Sequence, residues 1–70
     1  MPEWRFDWRG DNLFCARRKV IGIVPDEKYP GVMWRVRYPD GTLSDMVNRS
    51  RAKDAAVLAA RRILDAQGAQ

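Results

Sequence analysis

Val32-Met33-Trp34-Arg35-Val36-Arg37-Tyr38, followed by Pro39-Asp40-Gly41, decides the fold of this chain. Trp34, Val36 and Tyr38 alternate with Met33, Arg35 and Arg37, the period of a strand with one apolar and one basic face. Proline fixes the entry angle of the turn and glycine accepts a positive φ, so Pro39-Asp40-Gly41 reads as the bend of a hairpin. Residues 42–47 then read as the return strand, with Leu43 and Val47 on the core face and Ser44 and Met46 on the other.

Upstream the same period recurs. Trp4, Phe6 and Trp8 alternate with Arg5 and Asp7, and the cluster Arg9-Gly10-Asp11-Asn12 stops that strand with turn formers. Leu13-Phe14-Cys15 begins a second strand. Ala16-Arg17-Arg18-Lys19 reads as a turn, with a basic bulge inside one longer strand as the alternative, because Val20-Ile21-Gly22-Ile23-Val24 resumes β-branched character at once. Residues 25–31 carry two prolines and two acids and read as the longest loop.

Downstream the period changes. Six of the eight alanines lie between Ala52 and Ala66, and all seven aromatics lie before residue 39. At 100° per residue Ala52, Ala56, Ala59, Ala60 and Ile63 fall on one side, which predicts a helix over residues 50–67 whose small side chains let it approach a sheet closely. Asn48 or Ser50 is placed to cap its start and Gly68 to end it. Arg51, Asp54, Arg61, Arg62 and Asp65 take the outer side, and Leu58 lies among them, out of phase with the core stripe.

Seventy residues allow one small domain and exclude two separate cores. The expectation is an α+β domain spanning residues 1–70. An antiparallel meander of three to five strands within residues 3–47 packs against the one C-terminal helix. With no histidine and one cysteine, the chain lacks the ligands of a Cys/His zinc site and the base of a Ser-His or Cys-His nucleophile, and it cannot form an intrachain disulfide. Adjacent residues on an extended chain point apart, so Asp26 and Glu27 read as solvated loop acids and not as an acid/base pair. Cys15, between apolar neighbours, reads as a small buried hydrophobe. No enzymatic activity, cofactor or metal is expected. The absence of a long apolar run or a signal-peptide core makes a soluble cytoplasmic protein, off the membrane, the expectation. Arg9-Gly10-Asp11 spells an adhesion tripeptide, but without signs of secretion it reads as a turn.

The formal charge of +4 favours polyanions. Arg35 and Arg37 share one face of their strand about 7 Å apart, near the spacing of successive phosphates along one nucleic-acid strand. The bland alternative is that they solvate the outside of the sheet. Arg5 extends the same face if the first strand belongs to that sheet, and Arg17, Arg18 and Lys19 form the densest basic run.

The stretch Trp34-Arg35-Val36-Arg37-Tyr38-Pro39-Asp40-Gly41, with Ala52, Ala55, Ala56, Ala59 and Ala60 further on, resembles the last hairpin and helix of AP2-type and integrase amino-terminal DNA-binding domains. The likeness covers about half the chain. It implies a three-stranded sheet in the major groove backed by a C-terminal helix, with Trp34, Arg35 and Arg37 at contacting positions. The chain departs from those domains in its aromatic-rich start and in residues 43–47, where they carry a glycine and an aromatic. Residues 50–64 also look like the final helix of double-stranded-RNA-binding domains, which begin, unlike this chain, with another helix.

These readings converge on a small nucleic-acid-binding module, for DNA or RNA, that uses Arg35, Arg37 and Trp34 with Arg5, Arg17, Arg18 and Lys19 in support. The alternative is a protein-interaction or inhibitory accessory module of a bacterium or mobile element. In that reading exposed aromatics and Leu58 meet a protein partner, and the chain is a monomer or a weak homodimer.

Overall fold

The computed structural model describes residues 4–68. The expected start of the strand region at Glu3 and the last alanine, Ala69, lie outside the described residues. Four strands, β1 (Phe6–Arg9), β2 (Asn12–Cys15), β3 (Arg18–Pro25) and β4 (Trp34–Arg37), form one antiparallel sheet in the order β1-β2-β3-β4, and α1 (Arg49–Gly68) follows. The α+β meander with a C-terminal helix is therefore the fold.

Both N-terminal hairpins turn in two residues. Gly10 (φ 61°) opens the first loop, and Ala16 (φ 58°) opens the second, where a Cβ makes the left-handed conformation costly. The run 16–19 thus contains the expected turn at Ala16-Arg17, and the bulge exists too, one residue further on. Leu13 pairs with Ile21 and Phe14 with Lys19, so Val20 is the unopposed extra residue. Val20 turns inward beside Ile21 and is 8% exposed.

The register assigns the faces. Trp8 opposite Leu13, Leu13 opposite Ile21, and Ile23 opposite Val36 line the side under the helix. There Leu13, Ile21, Ile23 and Val36 are buried with Ala52, Ala56, Ala60 and Leu64, one residue from each successive turn of α1. The alanine stripe brings the helix close, chiefly over β3 and β4. Asn48 caps α1, its Oδ1 accepting from the Arg51 N–H at 2.9 Å. At the far end the Trp4 indole N–H donates to Asp65 at 2.7 Å, and its ring lies against Gly68. Arg49 and Lys53 lie over the rings of Trp34 and Trp8 at 5.1 and 4.9 Å.

Two expectations need correction. The strand expected over residues 32–38 is shorter, because the Val32 and Met33 N–H groups bond back to the Tyr29 carbonyl and close a turn. The return strand over residues 42–47 does not form; two isolated bridges, Arg37 with Leu43 and Trp34 with Val47, remain. Ser44 is the cause. Its Oγ accepts from the Val36 N–H at 2.8 Å and donates to the Asp45 carbonyl, so a side chain takes a backbone place in the ladder. Leu43, expected in the core, is 51% exposed, whereas Val47 packs against the core as expected.

Candidate nucleic-acid interface

Among the described residues no element packs over the side of the sheet away from α1. Pairing places Asp7 opposite Phe14, Arg9 opposite Asn12, Phe14 opposite Lys19, Gly22 opposite Arg37 and Val24 opposite Arg35 on this side. Arg5 lies on it by alternation with Asp7 and is exposed. Arg9 pairs with Asp7 at 3.4 Å and lies 4.9 Å from the Phe14 ring centroid. Lys19 and Arg37 are exposed and form no ion pair among the described residues. Both line a groove of about 340 Å³ with Gly22 and Gly41.

Gly22 makes room for Asn12 on this face. A Cβ there would meet Asn12 Oδ1 at 2.9 Å and the Asp11 carbonyl oxygen at 3.2 Å. A glycine inside a β-branched run is the sequence signal for such a close approach.

Arg35 faces the same side as Arg37, but it is engaged. Its Nε donates to Asp26 at 2.8 Å and its Nη1 to the Ser44 carbonyl at 2.8 Å. Asp26 also accepts the N–H groups of Lys28 and Tyr29, at 3.0 and 3.1 Å. The reading of Asp26 as a solvated loop acid is thereby corrected: it is 5% exposed and fully partnered. The hydrogen bond from Arg35, aided by the two N–H groups and opposed by burial, holds its carboxyl below the ordinary 3.8. An aspartate after proline at the start of a loop is the residue type that caps such a turn, and that signal was available in the sequence.

The remaining expected contact residues separate. Trp34 points toward the helix, with Arg49 over its ring, because alternation along β4 sets it with Val36 and not with the arginines. Arg17 sits on the turn between β2 and β3. Arg18 pairs with Cys15 and so faces the helix side, opposite to Lys19. Of the expected set, Arg5, Lys19, Arg35 and Arg37 share one face, and Arg9 and Phe14 join them without having been singled out. Cys15 is half-buried against the core. Leu58 is 53% exposed on the outer side of α1, with Asp54, Arg61 and Arg62 exposed at helical spacing around it.

Among the described residues no cluster of three or more Cys, Asp or Glu side chains is arranged to hold a metal ion, and no helix is long and apolar enough to cross a membrane. No family model, curated protein or solved structure matches the chain.

Proposed function

We propose that this chain is a small non-enzymatic nucleic-acid-binding module that lays the open face of its sheet along a phosphate backbone. The observation that carries the reading is the pair Lys19 and Arg37: two exposed cations without acidic partners among the described residues, lining one groove between β3 and the 39–41 turn. Gly41, with no atom within 4 Å of its Cβ position, leaves the rim of this groove open, and Arg5 adds charge at the β1 end, where Arg9 is paired with Asp7. Arg35 acts here as a brace for the neighbouring loops, and Arg18 adds charge but no contact on this face.

Fluorescence anisotropy with labelled DNA and RNA over a salt series tests the proposal. Contacts from Lys19, Arg37, Arg17 and Arg5 give a log–log slope near roughly −3 to −4 on duplex DNA. Lys19→Ala/Arg37→Ala reduces that slope by about 2, whereas Arg61→Ala/Arg62→Ala, the same charge change on the outer side of the helix, leaves it nearly unaltered. Equal losses from both double variants would reduce the effect to diffuse attraction toward a basic protein. No binding at low salt would overturn the proposal.

A protein-interaction role is the second reading, carried by a different surface. Tyr29, Val32 and Met46 are exposed apolar side chains around the long loop after β3, away from the basic groove. Loss of all nucleic-acid binding would promote that reading, and Leu58→Asp in sedimentation at high concentration tests separately whether the outer side of α1 meets a second copy.

A further inference from the structure

Beside Arg37 the open face deepens into a second groove of about 560 Å³, between the end of β3 and the segment after the 39–41 turn. Its apolar lining comes from Val24, Pro25 and Leu43, and its charged lining includes Glu27 and Arg37. This accounts for the exposed Leu43, which the bridge to Arg37 holds at the lip. The two walls are tied to each other: Arg35 donates to Asp26 on one side and to the Ser44 carbonyl on the other. These two bonds hold the walls of the groove in place without a ligand. Glu27 is exposed and forms no ion pair among the described residues, although two arginines line the same groove. On a surface that attracts phosphates an unpaired carboxylate opposes binding unless it accepts hydrogen bonds from the ligand.

Resting on the nucleic-acid reading above, we infer that this groove receives one unpaired base of a single strand, with Arg37 on the neighbouring phosphate and Glu27 accepting from an exocyclic amine. The apolar walls suit the faces of any base. A carboxylate, having acceptors only, matches the N4 amine of cytosine, whereas thymine and uracil put the O4 acceptor at that position and offer only the ring N3–H between two repelling carbonyls. The chain is thus expected to prefer single strands rich in cytosine to those rich in thymine.

The test compares labelled oligodeoxycytidine and oligothymidine of about 15 nucleotides, a length that spans a site of this kind. The full chain is expected to bind the cytosine strand about tenfold more tightly, the discrimination of one well-placed contact. Glu27→Gln reduces the preference to within about twofold while retaining binding, because the amide can donate to thymine as readily as it accepts from cytosine. Arg37→Ala weakens both strands alike. Equal affinity of the unaltered chain for the two strands, with the salt response of Lys19 and Arg37 intact, overturns the base pocket and leaves the phosphate-binding face standing. Binding to neither strand nor to duplex overturns both.

Discussion

Under the helix the sheet presents Leu13, Ile21, Ile23 and Val36, none more than 2% exposed, and the facing helix contributes alanines that are fully buried. On the other side the same strands present Asn12, Phe14, Lys19, Gly22, Arg35 and Arg37, with no second layer over them among the described residues. The first face is held by removal of apolar surface from water, a non-directional force that asks only for close fit. The second is held by particular atoms: the Arg35 fork, the Asp26 cap, the Ser44 hydroxyl and the missing Cβ of Gly22. Substitutions on the first face should therefore cost stability according to volume. On the second, a residue matters to stability only if it belongs to the bracing network.

Truncation after Val47 is the most severe challenge, because it exposes the whole apolar face of a domain whose single core rarely supplies more than about 3–5 kcal/mol. Loss of amide dispersion and of a cooperative melt is expected. A folded fragment would show that the sheet does not depend on α1. Leu13→Ala follows, at about 2–5 kcal/mol from lost burial and the cavity left behind, measured by denaturant midpoint. On the open face Gly22→Ala costs about 1–3 kcal/mol, since the added methyl meets the Asp11 carbonyl and the Asn12 amide. An unchanged midpoint in that variant would show that the close approach is easily relieved.

Asp26→Asn separates bracing from solvation. The carboxyl's pKa is lower folded than unfolded, so the ionised form favours the folded state; its contribution is present above about pH 4 and is lost as pH falls through the folded value. Thermal melts should place the variant below the parent at neutral pH, with the gap closing in acid. A pH-independent gap would mean that the carboxylate's charge has no part in the brace. Lys19→Ala/Arg37→Ala is the smallest in stability, within about 0.5 kcal/mol, since neither side chain has a folded-state partner among the described residues. A large loss in that pair would break the division between the two faces.

The same division governs what the sequence made legible. Periodicity reports which side of an element is apolar, so the helix, expected over 50–67 and found as Arg49–Gly68, and the first three strands stood out. Periodicity says nothing about which polar side chain replaces a backbone partner. Residues 42–47 alternate as a strand should, yet Ser44 and Arg35 capture the groups that a regular ladder would have paired. For the candidate site, alternation correctly set Arg35 and Arg37 on one face. It could not tell that Asp26, nine residues upstream of Arg35, would occupy that guanidinium while Arg37 forms no ion pair among the described residues.

The unopposed Val20 has a consequence for counting. Between the Leu13–Ile21 pair and the Phe14–Lys19 pair, β2 spends one step where β3 spends two. Simple alternation inward from Ile21 would send Lys19 beneath the helix and Arg18 out to the open face, whereas the extra step reverses that parity for every residue before it. A chain lacking Val20 would keep Lys19 opposite Phe14 and Arg18 opposite Cys15, with the charge of both surfaces unchanged and only one apolar side chain lost. A chain that kept Val20 but ironed the strand flat would exchange the two cations between surfaces without altering its composition. Where the positive charge of this hairpin resides is thus a matter of arithmetic along the strand, set by the number of residues as much as by their kind.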